Sequence, residues 1–185
     1  MKQALVLIDI QQDYFPGGAM ELVDSEAAVG MAAMLLQTAR AHQLPIVHIR
    51  HVATRKGATF FLPDTFGAEF HPLVAPQPAE AVFTKHYPNS FRETGLLAHL
   101  QGLGITSLLI AGMMTHMCID TTVRAAVDLG FACTLAQDAC ATRDLVFAGQ
   151  TIPAGQVQTA FLAALNGLFA KINTAQAICA SLDAT

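Results

Sequence analysis

Leu5-Val6-Leu7-Ile8-Asp9-Ile10 is the stretch on which the fold turns. Four consecutive apolar residues, short and partly β-branched, read as a strand buried on both faces, and Asp9 interrupts the run near its carboxyl end. Working outward, Asp24 or Ser25 offers a helix N-cap. Val29, Ala32, Ala33, Leu36 and Ala39 then give an apolar stripe at helical spacing, running to about Gln43. Pro45 stops that helix, and Ile46-Val47-His48-Ile49 is a second strand. The same alternation continues with strands over 81–84, 107–111 and 131–136 and a last one around 169–172. Helices are expected over 95–101, 118–129 and 156–168, with a short one capped by Thr174. Strands that are apolar throughout, alternating with helices, imply parallel pairing through right-handed crossovers.

The expected architecture is therefore α/β: a doubly wound, Rossmann-like, six-stranded parallel sheet with helices on both faces, formed as one domain over residues 1–185. Hydrophobic residues make up 53% of the chain and charged residues 13%, which suits a sheet covered on both sides and leaves apolar surface for an oligomer. Residues 53–80 break the pattern, being rich in Gly, Pro and Phe without a sustained period. A connection that long points to a lid or a subunit contact. No apolar run approaches the roughly 20 residues a bilayer requires, so no membrane partner is expected. A net charge of −4 without any basic run argues against nucleic acid. Met1-Lys2-Gln3-Ala4 leads straight into the first strand without the longer apolar region of a secretory signal. The expected setting is cytoplasmic, with reduced thiols at Cys118, Cys133, Cys140 and Cys179.

In such sheets the ligand sits beyond the carboxyl ends of the strands, where strand order reverses. Three polar residues stand there. Asp9 ends the first strand, Lys85 follows Ala81-Val82-Phe83-Thr84, and Cys118 lies just past the fourth strand at the start of a helix. Singly, each has an ordinary explanation: a turn carboxylate, a lysine reaching for water, a packed thiol. Together they supply what thiol-based acyl transfer needs. A helix N-terminus and an ammonium both favour the thiolate, and a carboxylate can take the thiol proton and return it to a departing amine. Backbone N–H groups at the loop-to-helix turn would face the oxyanion. In the strand order 3-2-1-4-5-6, Lys85 begins two strands from Asp9, roughly 10 Å away at the usual strand spacing, and must reach inward.

The segments Asp9-Ile10-Gln11-Gln12-Asp13-Tyr14-Phe15, Lys85-His86-Tyr87-Pro88-Asn89-Ser90-Phe91 and Gly112-Met113-Met114-Thr115-His116-Met117-Cys118 together resemble the isochorismatase-like cysteine hydrolases. Asp120-Thr121-Thr122-Val123-Arg124-Ala125-Ala126 and Asp138-Ala139-Cys140-Ala141-Thr142 continue the likeness across nearly the whole chain. The resemblance implies an Asp9–Lys85–Cys118 triad and a cis peptide between Met113 and Met114. It also implies an oxyanion site formed by the N–H groups of Met114 and Cys118, and assembly as a dimer or larger. Nicotinamidases of this superfamily bind a metal through an Asp-x-His motif after the second strand. Here Arg50 stands where that Asp would be, and His48 and His51 lie an odd number of positions apart, on opposite faces. No metal and no other cofactor is expected.

The partner expected is a small amide-like molecule, cleaved at a C–N bond through a thioester. A true isochorismatase cleaves a vinyl ether and needs a carboxylate acid rather than a thiol, so Cys118 favours the amide-cleaving branch. A thiol-sensing binder on the same fold is the other reading, since a low-pKa Cys118 would also meet oxidants. A nicotinamide-dinucleotide enzyme would need a glycine-rich turn after the first strand, where Asp9-Ile10-Gln11-Gln12-Asp13 stands instead. The pocket wall is expected from Phe15, His51, Tyr87, Phe91, Met113, His116 and Met117. Phe60, Phe61, Phe66 and Phe70 would close it, pack in the core or meet another subunit. Asp13 would orient the loop after the first strand, and Cys133, Cys140 and Cys179 would be buried structural thiols.

Overall fold

The computed structural model describes residues 2–184. Six strands form one parallel sheet: β1 (Gln3–Ile8), β2 (Ile46–His51), β3 (Ala81–Lys85), β4 (Ser107–Met113), β5 (Ala132–Ala141) and, after a small hairpin, β8 (Lys171–Asn173). Their order is β3-β2-β1-β4-β5-β8, and every adjacent pair is parallel. The chain winds one way from β1 to β3 and the other way from β4 to β8. The reversal falls between β1 and β4, at the carboxyl edge.

Alternation along β1 separates the two layers. Leu5 and Leu7 face α1 (Ser25–Ala41) and α5 (Ala175–Asp183), together with Leu109 and Ala111 of β4. Ala4, Val6 and Ile8 face the opposite layer, which contains Leu96 and Leu100 of α2 (Leu96–Gly102), Val123 of α3 (Asp120–Asp128) and Leu165 of α4 (Ala154–Leu165). The sheet is thus covered on both sides. Among the described residues no helix is long and apolar enough to cross a membrane.

Three features differ from the expectation. A two-stranded antiparallel hairpin, β6 (Leu145–Phe147) with β7 (Gln150–Ile152), occupies what reads as loop, because its outer residues Val146 and Phe147 are exposed and give no buried period. β5 runs to Ala141 through an irregularity: Ile110 pairs with Leu135 and Gly112 with Cys140, so the residues between bulge from the ladder. The last strand lies slightly later than 169–172. Cys133, Cys140 and Cys179 are buried free thiols.

Two local constraints carry the strand ends toward one point. Gly112 has φ +138°, and a Cβ there would run into the Ile8 carbonyl, so β4 approaches β1 as closely as it does only with glycine. At the other end of the sheet's first half, Glu80 directly precedes β3. Its carboxylate accepts from Arg40 of α1 at 2.7 and 2.9 Å and pairs with His48 of β2 at 2.8 Å. The Gln77 amide adds a further bond at 2.8 Å. Edge strand β3, which ends in Lys85, is thereby tied to both a helix and its neighbour strand.

Burial works against the Glu80 carboxylate, but Arg40, the Gln77 amide and His48 outweigh it and hold its pKa at about 2. A carboxylate depressed in this way contributes stability that is complete above the ordinary value near 4.5 and is lost as pH falls towards about 2. Glu80→Gln should therefore cost roughly 2–3 kcal/mol at neutral pH, and urea titrations of the two proteins should converge as the pH is lowered through that window. A gap that persists unchanged at the acid end would show that the charge is not what anchors β3.

Candidate active site

Four segments meet at the carboxyl edge. β1 ends into Asp9, whose φ of 52° turns the chain out of the sheet, a conformation Asp tolerates better than most residues. β2 ends in His51 and β3 in Lys85, which are register partners. After β4 the Met113–Met114 peptide is cis. A five-residue turn of π type (Thr115–Ile119) then carries Cys118 into α3.

The Lys85 ammonium is the centre of the cluster. It lies 2.7 Å from Asp9 Oδ2 and donates to Cys118 Sγ at 3.2 Å and to the Tyr87 carbonyl at 3.1 Å. His51 Nδ1 lies 3.1 Å from it and, facing a group that can only donate, must accept. The Lys85 side chain passes the end of β2 to reach Asp9, so the distance across two strands is spanned by its four-carbon stem. Asp9 and Lys85 are fully buried, and Cys118 nearly so.

Burial sets the electrostatics, and charge pairing modifies it. For Lys85, burial opposes the ammonium, but Asp9 and Cys118 outweigh it and hold the pKa above the ordinary lysine value. For Cys118, burial comes first and the Asp9 carboxylate adds to it. Lys85 pulls the other way without prevailing, and the thiol is pushed well above the ordinary value. The expected low-pKa thiolate is thus replaced by a resting thiol beside a carboxylate. Burial also holds His51 at about 4 against the opposing pull of Asp9, so the imidazole is neutral near pH 7. Tyr14, buried against Phe61 with ring centroids 4.5 Å apart, is raised by burial, Cys118 and Asp9 and stays a neutral phenol.

Residues after β1 serve as the frame. The Gln11 amide donates to the His51 and Ala68 carbonyls at 2.9 and 2.8 Å and accepts from the His51 N–H at 2.7 Å. Asp13 accepts from the Ala19 and Phe61 amides at 3.1 and 2.5 Å, which orients two loops. A Cβ on Gly67 would overlap that carboxylate, so the long segment packs against it only with glycine there. Across the site, the Ser90 hydroxyl lies 2.9 Å from that of Thr122, joining the loop after Lys85 to α3.

A cavity of about 670 Å3 opens beside Cys118. His51, Tyr87, Met114 and Met117 are among its lining residues. Four residues assigned to its wall lie elsewhere. Phe15 is buried against His71, Phe91 stacks on Phe131, and Met113 sits in the α1-side core as the last residue of β4. His116 turns to the Thr142 hydroxyl, 2.6 Å away, with its ring against Phe161. Met20, Arg55, Phe60 and Arg143 occupy the wall instead, from loops whose reach no periodicity reports. The segment after β2 is partly a pocket wall: Phe60 lines the cavity and Phe61 is core, whereas Phe70 meets His48 and Phe66 is exposed.

One oxygen, nitrogen and sulfur of Asp9, His51 and Cys118 lie within 4.8 Å of one another, a set chemically able to ligate a metal. The Lys85 ammonium contacts all three, so a metal ion there would have to displace it. His48 is held by Glu80 and Arg50 reaches Thr84, so neither supplements the set.

The isochorismatase domain model matches residues 3–177. An isochorismatase family protein of Bacillus subtilis is 46% identical over 177 residues, covering 96% of this chain and 98% of that protein. Maleamate amidohydrolase of Pseudomonas putida is 33% identical over 144 residues, 70% of this chain and 68% of that enzyme. The solved structure of an isochorismatase hydrolase from Oleispira antarctica has a TM-score of 0.93 at 49% identity, covering 97% of this chain and 96% of that one.

The thiol's high resting pKa depends on the Asp9 carboxylate as well as on burial. Iodoacetamide should therefore label Cys118 slowly around neutral pH, without the inflection near ~8.5 of a free thiol. In Asp9→Asn, where Lys85 acts unopposed, the inflection should move down and neutral-pH labelling should quicken. An ordinary thiol profile in the unaltered protein, or no downward movement in the variant, would refute this account.

Proposed function

The chain belongs to the isochorismatase family, and from that premise we propose that it is a cysteine-dependent hydrolase of a carbon–nitrogen bond in a small amide, working through a thioester. The observation that carries this reading is the buried Lys85 ammonium, ion-paired with the Asp9 carboxylate and donating to the sulfur of Cys118, a residue that lines an open cavity. The amidohydrolase activity of the Pseudomonas putida relative supports the bond type.

In the proposed cycle Asp9 takes the Cys118 proton as sulfur adds to the substrate carbonyl, forming the C–S bond. Because the resting thiol is protonated, attack and proton transfer are coupled, and Asp9 is required from the first step. Lys85 stays an ammonium throughout and offsets the charge that moves between sulfur and carboxylate. The oxyanion is assigned to the N–H groups of Met114 and Cys118, two residues that line the cavity. As the tetrahedral adduct collapses, the C–N bond breaks and Asp9 returns its proton to the departing nitrogen. Asp9 then takes a proton from water, hydroxide adds to the thioester, the C–S bond breaks, and the proton goes back to sulfur. The products are a carboxylic acid and ammonia or an amine.

A redox-sensing role for Cys118 is less well supported, because sensor cysteines are exposed and low in pKa, and this thiol is neither.

Cys118→Ala should lower turnover by roughly four orders of magnitude or more while the circular dichroism spectrum is unchanged. Intact-protein mass spectrometry after brief exposure to an amide panel should show an acyl adduct on the unaltered protein and none on the variant. Turnover that survives in the variant would exclude the covalent route.

A further inference from the structure

Three of the groups around the Lys85 ammonium can titrate. Asp9 and Cys118 exchange a proton in the proposed cycle, and His51 is an imidazole held at about 4 mainly by burial. The Tyr87 carbonyl, 3.1 Å from the ammonium, cannot titrate. When Asp9 takes the thiol proton its pull on the ammonium weakens, and the carbonyl is the acceptor whose strength stays the same. Its placement therefore bears on the chemistry. It belongs to the connection between β3 and α2, residues 86–95, where no strand or helix dictates the course of the chain.

One buried hydroxyl sets that course. Thr122 lies in the first turn of α3, four residues beyond Cys118, and is 1% exposed. Its oxygen accepts from the Ser90 N–H at 3.1 Å, lies 2.9 Å from the Ser90 hydroxyl, and donates to the Pro88 carbonyl at 3.4 Å. With its one proton on Pro88, Thr122 accepts from the Ser90 hydroxyl, and its hydrogen-bonding capacity is filled. Ser90 is fully buried, so its amide and hydroxyl depend on Thr122 rather than on water. The other side-chain bonds at this turn stay within the loop: Thr94 donates to the Ser90 carbonyl at 2.6 Å, and the Phe91 amide to Asn89 at 2.9 Å. Pro88 restricts the residue before it to extended backbone, so holding Pro88 also holds the direction of the Tyr87 carbonyl.

Resting on the hydrolase reading above, we propose that Thr122 is a positioning residue: its hydroxyl holds Pro88 and Ser90 so that the Tyr87 carbonyl keeps the Lys85 ammonium against Asp9 and Cys118 while the proton passes between them. Thr122 touches no reacting atom and moves no proton. Because it stands on the helix that follows Cys118, the nucleophile and the loop that steadies its counter-charge are fastened to one element.

Thr122→Val removes the hydroxyl and keeps the branched shape, and Thr122→Ser restores the hydroxyl. Lys85 draws the Cys118 thiol toward its anion against burial and Asp9. With the ammonium less firmly held, iodoacetamide at about pH 9 should label Cys118 about threefold or more slowly in Thr122→Val than in the unaltered protein. A purely structural role would loosen the packing around the sulfur and quicken labelling instead. With succinamide as the probe, kcat should fall about tenfold or more while KM stays nearly unchanged. Thr122→Ser should return both readouts to within about twofold of the unaltered protein. Ser90→Ala, which removes one of the three bonds, should slow labelling in the same direction by less, and it decides the matter if Thr122→Val does not fold. Equal or faster labelling in the folded variants overturns the positioning role, and amide turnover by the unaltered protein then leaves the hydrolase reading standing. Slower labelling that Thr122→Ser reverses, in a protein that no amide acylates, leaves the placement of Lys85 by Thr122 standing and removes the hydrolase reading.

Discussion

An ammonium group withdrawn from water must find acceptors for its three protons, and the cost of leaving it without them is several kcal/mol. Lys85 is fully buried, and its acceptors come from separate parts of the chain: Asp9 after β1, His51 at the end of β2, Tyr87 in the loop after β3, and Cys118 in the turn after β4. None of these segments is near the others in sequence except Tyr87. The lysine therefore acts as a folding constraint as much as a chemical group, because the carboxyl edge of the sheet must assemble as one unit for its charge to be tolerated. Gln11 and Asp13 extend the same logic outward by fixing the backbone that carries those acceptors. Loss of either charge of the Asp9–Lys85 pair leaves the other uncompensated in the interior.

The same burial determines the chemistry. Reading Cys118 from its place at a helix start beside a lysine suggests a standing thiolate. In the structure, desolvation and the Asp9 carboxylate outweigh the ammonium. The helix proper begins at Asp120, so Cys118 sits within the π-type turn rather than ahead of the first free amides of α3. A thiol that is neutral at rest is poorly suited to meeting oxidants, and it needs a base in contact at the moment of attack. In the proposed cycle Asp9, joined to it through the shared ammonium, takes that role, and burial keeps the thiol inert until a substrate carbonyl arrives.

How much of this was legible in the sequence follows from which property each residue expresses. The first four strands were readable within a residue or two because each is a short, largely apolar run, and the sheet order is the usual one of a doubly wound sheet. Asp9, Lys85 and Cys118 stood out for the same reason: charge or sulfur at a strand end is hard to explain by packing. The β6–β7 hairpin was hidden because its exposed Val146 and Phe147 carry no buried alternation, and the irregularity in β5 because a bulge leaves no period behind it. The pocket wall was the least legible part. Phe15, Phe91 and Met113 lie near Asp9, Lys85 and Cys118 in sequence, but their size serves the core, where apolar area is worth most. Arg55 and Arg143 look in sequence like ordinary surface residues, and only the course of two loops brings them to one rim.

That contrast divides the molecule into a part that resists change and a part that admits it. The floor is built on strand ends around one buried ammonium, so removing either charge of the Asp9–Lys85 pair disturbs the packing of the edge as well as the site. The rim is built on loops after β2 and β5, where exposed side chains such as Arg55 and Arg143 touch little else and can be exchanged without cost to the core. On the amidohydrolase reading proposed above, discrimination between substrates resides at the rim, because the floor sees only what all amides share: a carbonyl carbon, its oxygen and a departing nitrogen. On that reading, what is attacked is set by burial at the sheet edge, and which molecule is admitted is set by the charge and shape of two loops above it.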